Sequence, residues 1–463
     1  MSTVDVVELS EAPRARAADD RHLALTRAIL EDVFGPADQR NFGVRFWNGE
    51  SDVPASLPQP PFSLVLHDAG SLRRMLLPPS ELSMVESYLR GDIDVEGDLE
   101  SASTIADGVA ERLRSIGTLA RLTRRLLALP SDGVGSVTDA PARHRAQPRG
   151  RLHSKDRDSA STRFHYDLGN DFFALWLDRR MVYSCAYFPP GVNDLDAAQT
   201  AKLDLICRKL RLTPGERLLD IGCGWGALVM YAAEHYGVIA HGVTLARQQA
   251  ALAQERITQA GLQDRCKVEV LDYRDLPAGS VYDKVTSVGM AEHVGRSQIA
   301  AYFEAAYRFT REGGIFLNHN IVDNGVSPRA TLKQPVRWTT GRLWRRSEFI
   351  DRYVFPDFNL LPLGELVTEG EKAGFELRDI ENLRDHYATT LRHWVRRLES
   401  RHDDAVSQVG EFRYRVWRLY MAAGAHQQAS GGNGIVQMIF AKPRRDGTTG
   451  VPMTRDDIYA RSH

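Results

Sequence analysis

One stretch of this chain constrains its fold more than any other: Leu218-Leu219-Asp220-Ile221-Gly222-Cys223-Gly224-Trp225-Gly226. An apolar strand runs into a glycine-rich turn, and a helical pattern from Ala227 to Tyr236 follows directly. Glycines in such a turn let the backbone come close to a ligand and adopt dihedral angles that other residues avoid. The succession of strand, turn and helix therefore predicts a binding site for a nucleotide-like ligand.

The spacing of this turn separates two kinds of ligand, a dinucleotide and S-adenosylmethionine. It is Asp-x-Gly-x-Gly-x-Gly, whereas dinucleotide sites have the wider Gly-x-Gly-x-x-Gly. The next strand ends in Gly242-Val243-Thr244-Leu245, which has no carboxylate to bind the ribose hydroxyls of a nicotinamide dinucleotide. Both observations favour S-adenosylmethionine, with Asp220, Gly222 and Gly224 as cofactor-binding residues.

Strand and helix patterns alternate along residues 161–442. The predicted strands are 217–221, 238–243, 267–271, 282–288 and 314–321, and the predicted helices between them are 227–236 and 248–260. Such alternation is typical of α/β proteins, and it predicts a doubly wound, Rossmann-like parallel sheet of the methyltransferase kind.

The loop after the third strand, residues 271–276, is a second candidate for cofactor binding. In a doubly wound fold this loop lies near the adenine of the cofactor. Asp272 either accepts a hydrogen bond from the exocyclic amine of adenine or caps a turn, and both alternatives stay open. We assign Asp272 and its neighbour Tyr273 to cofactor binding.

The rest of the chain divides by composition. Residues 1–130 contain short strands and helices, including a strand in Phe42–Trp47 that ends at the hairpin signal Asn48-Gly49, and predict a smaller α+β accessory domain for lipid docking. Residues 131–160, rich in Pro, Gly, Ser and Arg, predict a linker. Residues 161–442 form the predicted methyltransferase domain, and residues 443–463 a polar tail.

Residues 111–129 form an amphipathic helix pattern in the accessory domain. Leucine and isoleucine recur at helical spacing, and five arginines supply positive charge. The helix either packs within the domain with a solvated basic face, which is the default interpretation, or lies on anionic lipid.

Composition excludes several classes of protein. Among 463 residues, 59 Lys and Arg nearly balance 60 Asp and Glu, giving a net charge of -1, so nucleic acid is not an expected partner. There is no run of about 18 apolar residues and no visible secretory signal, which predicts a cytoplasmic protein without a spanning helix. The 4 cysteines lack paired CxxC spacing, so no metal site is expected.

Three further groups follow or lie within predicted strands, where doubly wound sheets hold their ligands. Glu292-His293 follows strand 282–288, His319 lies within strand 314–321, and Tyr387 comes just before a helix predicted to begin near Thr389. Singly, each has a structural explanation, as a cap, a buried histidine or a packed ring. Together they suit a proton-handling or anion-binding site, but spacing alone cannot place them together.

The chain resembles the cyclopropane-fatty-acyl-phospholipid synthase family, which includes mycolic acid cyclopropane synthase-like catalytic domains. The resemblance rests on several motifs besides the glycine-rich turn. They are Phe164-His165-Tyr166-Asp167-Leu168-Gly169-Asn170, Met181-Val182-Tyr183-Ser184-Cys185-Ala186-Tyr187-Phe188, Gly289-Met290-Ala291-Glu292-His293-Val294-Gly295, Asn318-His319-Asn320-Ile321, and the N-terminal segment Glu86–Leu99.

The resemblance implies two sets of site residues. Positions matching cofactor contacts are Tyr183, Ser184, Gly222, Thr244, Leu245 and Gln249. Positions matching a bicarbonate site are Cys185, Glu292, His319, Ile321 and Tyr387, which we group as catalytic.

The implied reaction is transfer of a methylene group from S-adenosylmethionine to the cis double bond of an unsaturated acyl chain in a membrane phospholipid. It passes through a carbocation that bound bicarbonate deprotonates, closing a cyclopropane ring. The alternatives are a methylene- or methyl-branched acyl product and methylation of another small substrate. The expected partners are a phospholipid bilayer surface with unsaturated acyl chains, at the inner face of the membrane, and a second copy of the chain in a homodimer.

Overall fold

The computed structural model describes residues 5–105, 116–133, 135, 137, 144–147, 149–324 and 347–459. These divide into two compact units. The first unit contains the described residues up to 145 together with 347–349 and 410–423, and the second unit contains the others. The segment 410–423, predicted to be part of the methyltransferase domain, thus belongs to the first unit. Within that unit, Arg415 donates to the carbonyl of Tyr88 at 2.8 Å and to Asp94 Oδ2 at 2.5 Å.

The first unit is a mixed α+β structure. Its strands are β1 (Gly43–Arg45), β2 (Ser51–Asp52), β3 (Phe62–Leu66) and β4 (Ile93–Gly97), in the order β2-β1-β3-β4. Its helices include α1 (Asp5–Phe34), α2 (Ser71–Leu76), α3 (Glu81–Leu89), α4 (Leu99–Ala102) and α5 (Ile116–Leu127). The hairpin predicted at Asn48-Gly49 is confirmed, because β1 and β2 pair antiparallel on either side of that turn.

Helix α5 is the described part of the amphipathic helix predicted over 111–129, since residues 111–115 lie outside the described residues. Leu122 and Leu126 are each 1% exposed, so one face packs inside the unit. Arg125 donates to Asp32 of α1 at 2.5 Å. The interpretation as a packing helix therefore holds for this face. Leu119 and Leu127 point outward, 36% and 55% exposed, and contact with lipid stays a prediction for them.

The second unit is built on a seven-stranded sheet in the order β10-β11-β9-β8-β5-β6-β7. The strands are β5 (Arg217–Ile221), β6 (Ile239–Thr244), β7 (Cys266–Val270), β8 (Tyr282–Val288), β9 (Thr310–Asp323), β10 (Glu376–Asn382) and β11 (Asn433–Ala441). Strands β5 to β9 pair in parallel, which confirms the predicted doubly wound sheet. Strand β11 is an exception, because it lies between β9 and β10 and runs antiparallel to both.

Helices cover both faces of this sheet. They include α6 (Lys155–Tyr166), α7 (Asn170–Ala174), α8 (Leu195–Leu210), α9 (Ala227–Tyr236), α10 (Arg247–Gln259), α11 (Ala291–Val294), α12 (Ile299–Phe309), α13 (Leu363–Lys372), α14 (Arg384–Ser400) and α16 (Asp456–Tyr459). Helix α15 (His402–Ser430) is interrupted at Gly410, where φ is +78°, and its residues 410–423 belong to the first unit. Helix α6 begins inside the predicted linker. Helix α14 begins at Arg384, so Tyr387 lies in its first turn and the prediction of a helix starting after Tyr387 was wrong.

Strand β5 shows why the sheet is covered on both sides. Leu218 packs in one apolar cluster with Ile206 and Val229, whereas Leu219 packs in a second cluster with Phe303. All of these side chains are 6% exposed or less. Successive residues of a strand point to opposite faces, so a continuous apolar run requires two cores. The carboxyl ends of the parallel strands are then left to bind ligands.

The predicted polar tail, 443–463, is described up to residue 459, and its last described part packs on the second unit. Ile458 is 1% exposed. Arg211 forms an ion pair with Asp457 at 2.6 Å, and Tyr459 donates to Glu381 Oε2 at 2.9 Å. The sequence pattern misses this because a single apolar residue in a polar segment has no periodicity.

This packing predicts a measurable contribution to stability. Ile458→Ala removes a buried side chain, which typically costs about 2–4 kcal/mol, and we expect the Tm to fall by several degrees. Thermal unfolding followed by circular dichroism measures the change. The matched control is Met453→Ala in the same segment, where the side chain is 99% exposed and the Tm should not move. Equal Tm values for the two variants would show that the segment is not docked.

Candidate functional site

A single cavity at the carboxyl ends of the parallel strands is lined by every residue predicted to bind the cofactor. The ten are Tyr183, Ser184, Asp220, Gly222, Gly224, Thr244, Leu245, Gln249, Asp272 and Tyr273. Residues 183–184, 244–249 and 272–273 are distant from one another in sequence, and they line the same cavity as the glycine-rich turn. Their part in binding a cofactor stays a prediction, because convergence alone does not identify a ligand.

The glycine-rich turn is laid tightly against strand β6. The amides of Gly222 and Cys223 both donate to the carbonyl of Val243, at 2.9 and 3.0 Å. Gly222 has φ +82°, and a Cβ there would lie 2.7 Å from Cγ of Met290. A side chain at Gly222 is thus excluded by both backbone conformation and space. The turn leaves the cavity side open to a ligand.

A buried lysine, Lys202, interacts with two of the residues predicted to bind the cofactor, Ser184 and Asp220. Lys202 of α8 donates from Nζ to Ser184 Oγ at 2.8 Å, and burial lowers its pKa to about 8. Burial also raises the pKa of Asp220 to about 7, although the charge of Lys202 acts in the opposite direction. Asp220 Oδ1 has no hydrogen-bond partner among the described residues. It is available to a polar ligand group.

Sequence reasoning missed Lys202, which also lines the cavity. The signal was present, because Lys202 and Lys209 are seven residues apart and fall on the buried face of α8. A lysine is almost never fully buried unless it is paired, so two of them on an apolar face indicate partners inside the fold. The identity of those partners requires the structure.

The loop after β7 contains Asp272, for which the sequence left open whether it contacts adenine or caps a turn. Its carboxylate accepts from the backbone N of Arg274 at 2.9 Å and from Nη2 of the same residue at 2.6 Å. Asp272 therefore caps the short helical turn, and hydrogen bonds with Arg274 lower its pKa although burial opposes them. Asp272 also lines the cavity, and its contact with adenine stays a prediction.

The five residues predicted to hold bicarbonate lie around strands β9 and β11. The backbone N–H of Ile321 donates to Glu292 Oε1 at 2.6 Å, and Glu292 is 3% exposed. Two of the five predicted residues, Glu292 and Ile321, are thus in direct contact. Glu292 Oε2 has no partner among the described residues, and burial raises the pKa of this carboxyl to about 7.

His319 lies two residues before Ile321 on the same strand and is 0% exposed. Its Nδ1 is 3.1 Å from Nε2 of Gln437, which lies opposite it on β11. Its Nε2 has no partner among the described residues. Burial holds the pKa of His319 well below its usual value, and the nearby charges of Lys202 and Lys209 act in the same direction. The imidazole is therefore neutral at physiological pH.

Cys185 and Tyr387 both form hydrogen bonds with Leu383, which is itself bonded to strand β11. The carbonyl of Leu383 accepts from Cys185 Sγ at 3.8 Å and from the backbone N of Tyr387 at 3.0 Å. The N–H of Leu383 donates to Ile435, which pairs with Ile321 across the β9–β11 ladder. Burial raises the pKa of the Cys185 thiol, so it stays protonated and is a poor nucleophile.

The ion-site residues adjoin the cofactor cavity. Ser184, which precedes Cys185, lines the cavity, and so does Gly289, whose N–H donates to the carbonyl of His319 at 2.7 Å. Phe355 also lines the cavity.

Comparisons with known proteins identify the family to which the chain belongs. The family model described as mycolic acid cyclopropane synthetase matches residues 153–438. A probable fatty acid methyltransferase of Pseudomonas putida is 37% identical over 416 residues, 90% of this chain and 95% of that protein. The cyclopropane-fatty-acyl-phospholipid synthase of Escherichia coli K12 is 36% identical, covering 64% of this chain and 71% of that protein.

Solved structures give the same result for the fold. Mycolic acid cyclopropane synthase CmaA1, complexed with SAH and CTAB, superimposes with a TM-score of 0.56 at 32% identity, covering 61% of this chain and 97% of that one. The matched family segment includes every predicted site residue. The chain therefore belongs to the mycolic acid cyclopropane synthetase family and is an S-adenosylmethionine-dependent methyltransferase of the cyclopropane synthase type.

Proposed function

We propose that this enzyme converts the cis double bond of an unsaturated acyl chain in a membrane phospholipid into a cyclopropane ring, with bicarbonate held beside the cofactor. One observation carries the proposal. Glu292 Oε2 and His319 Nε2 are both buried and both without a partner among the described residues. Glu292 is bonded to Ile321, and His319 lies two residues before Ile321 on the same strand. A buried polar atom without a partner costs about 1–3 kcal/mol, so a pair of them on neighbouring residues favours a small polar ligand.

The two orphaned atoms have complementary chemistry for a hydrogen carbonate ion. Ionised Glu292 Oε2 is a pure acceptor and suits the single O–H of the ion. A donor from neutral His319 suits one of its other oxygens, and the hydroxyl of Tyr387 supplies a second donor. Neither protein group is cationic, so the ion would keep its basicity. The residues present therefore fit the ion.

The cofactor supplies an electrophilic methyl group to the alkene, and the ion supplies a weakly nucleophilic base for the proton that leaves as the ring closes. The chain's own contribution is to hold both and to exclude other nucleophiles. The Cys185 thiol is protonated and fully buried, so no thiolate competes for the carbocation. Burial of Glu292 likewise keeps water from the orphaned oxygen.

A second product has support of its own. The Pseudomonas putida relative, which spans nearly the same length as this chain, is called a probable fatty acid methyltransferase. A 1,2-hydride shift onto the cationic carbon, followed by loss of a proton from the new methyl group, gives a methylene-branched chain instead of a ring. The two products are isomers, so mass alone does not separate them.

The acyl substrate implies contact with a membrane surface, and helix α5 of the first unit supplies a candidate. Leu119, Ala120, Thr123 and Leu127 line a shallow apolar groove beside Arg124. Apolar side chains next to a cationic one match the acyl and phosphate parts of an anionic leaflet. None of the helices among the described residues is long and apolar enough to cross a membrane.

The deciding experiment is turnover on defined vesicles. The protein is incubated with S-adenosylmethionine and vesicles of dioleoyl phosphatidylglycerol, and the released fatty acids are analysed by mass spectrometry. A gain of one CH2 in a product that resists hydrogenation supports the ring. A gain of one CH2 in a product that takes up hydrogen supports the branched chain. No gain contradicts phospholipid methylation.

The cofactor assignment predicts an asymmetry between two glycines. Gly222→Ala forces the turn away from Met290, and we expect the affinity for S-adenosylmethionine to fall by about tenfold or more, equivalent to about 1.4 kcal/mol. Isothermal titration calorimetry gives the Kd. Gly261→Ala is the control, because Gly261 also has positive φ, +66°, but a Cβ there meets nothing within 4 Å. Equal Kd values for the two variants would contradict the assignment.

Glu292 predicts the pH dependence of turnover. With a pKa of about 7, its carboxylate is ionised above that pH and protonated below it, so activity should rise as pH increases through about 7. Glu292→Gln cannot ionise and should lower turnover by about a hundredfold or more without that rise. Calorimetry should show cofactor binding nearly unchanged. Equal losses of binding and turnover would contradict a role confined to the ion.

The membrane proposal predicts an effect of Leu127→Asp on vesicle binding. Removing an exposed apolar side chain and adding a negative charge should weaken sedimentation with anionic vesicles by about tenfold. The matched control is Val53→Asp, which changes another exposed apolar residue of the first unit, 45% exposed. If both variants sediment like the wild type, α5 does not dock on lipid.

A further inference from the structure

We propose that Gln437 is a positioning residue that fixes the single proton of neutral His319 on Nε2, the nitrogen facing the proposed ion site. The proposal rests on the function proposed above for His319 as a donor to the ion. Gln437 lies on β11, directly opposite His319 in the ladder with β9, and both side chains are 0% exposed. Neither the sequence motifs nor the resemblance singled it out.

The direction of the Gln437 amide is set by its second neighbour. Lys209 Nζ donates to Gln437 Oε1 at 2.7 Å. An ammonium group has three donors and no acceptor, so it can face only the oxygen of the amide. Burial lowers the pKa of Lys209, and the carboxylate of Glu381, to which Lys209 also donates, opposes that shift and favours the charged form. The amide NH2 is therefore turned away from Lys209 and toward His319.

The direction of the amide in turn fixes the imidazole. Gln437 Nε2 is a donor and lies 3.1 Å from His319 Nδ1, so Nδ1 must accept and carries no proton. A neutral imidazole has one N–H, which must then be on Nε2. If His319 carried its proton on Nδ1, two donors would face each other. If the Gln437 amide were reversed, its NH2 would face the ammonium of Lys209. The contacts of Lys209 with Glu381 and Gln437, and of Gln437 with His319, thus fix the tautomer of His319.

The tautomer matters because the two nitrogens have opposite chemistry. With the proton on Nε2, His319 presents a donor to the oxygen of an anion. With the proton on Nδ1, it would present a lone pair and repel the same oxygen. Because His319 is buried and neutral, it cannot become a donor at both nitrogens by protonation. Gln437, the partner of Nδ1, therefore decides which nitrogen donates.

The test substitutes the amide by an isosteric acceptor. Gln437→Glu places a carboxylate against Nδ1, so the proton of His319 should move to Nδ1. Long-range 1H–15N correlation spectra of 15N-histidine-labelled protein, without cofactor, report the tautomer of each ring. The signals of His319, one of 14 histidines, are assigned by their loss in His319→Gln. We expect Nε2–H in the wild type and Nδ1–H in Gln437→Glu.

Turnover is the second readout. We expect kcat to fall about tenfold to a hundredfold, the range seen when an outer partner of a site histidine is removed, with the affinity for S-adenosylmethionine little changed. The control is Gln254→Glu, an isosteric swap at an exposed glutamine of α10 that donates to the carbonyl of Val268. It should alter neither the His319 signals nor kcat.

Each outcome has a defined meaning. A wild-type Nδ1–H tautomer, or an unchanged tautomer in Gln437→Glu, overturns the proposal. A tautomer that moves while kcat stays constant leaves Gln437 in its role but contradicts the proposed donor function of His319. If Gln437→Glu does not fold, Gln437→Met removes the donor without adding charge, and both tautomers should then appear. A single Nε2–H species in that variant also overturns the proposal.

Discussion

Removal of water from the carboxyl ends of β5, β8 and β9 is the constraint on which the rest of the site depends. Burial raises the pKa of Asp220 and Glu292 to about 7 and lowers the pKa of Lys202 to about 8. Each group is thereby brought closer to its neutral form. A reaction that passes through a carbocation needs such a site, because any charged or hydrated nucleophile would capture the cation before a proton is lost.

The sequence predicts those parts of the fold and site that depend on local pattern. The strand, glycine turn and helix of 217–236 are found where predicted, because alternating burial and turn glycines are read directly from neighbouring residues. Lys202 and Gln437 could not be assigned, because their partners are set by helix docking and strand register between distant segments. The inserted strand β11 and the docked Ile458 were missed for the same reason.

The site combines two kinds of restraint that differ in how they tolerate substitution. Around the cofactor the restraint is steric, as at Gly222, where the backbone φ and Met290 leave no room for a side chain. Around the proposed ion it is a set of directional hydrogen bonds, in which Glu292 is oriented by Ile321 and His319 by Gln437.

The place of β11 in the sheet has a consequence for biosynthesis. This strand is synthesised after β9 and β10, yet it lies between them and pairs with both. The sheet can therefore reach its final order only after residues 433–441 have been synthesised, and the contact between His319 and Gln437 forms no earlier.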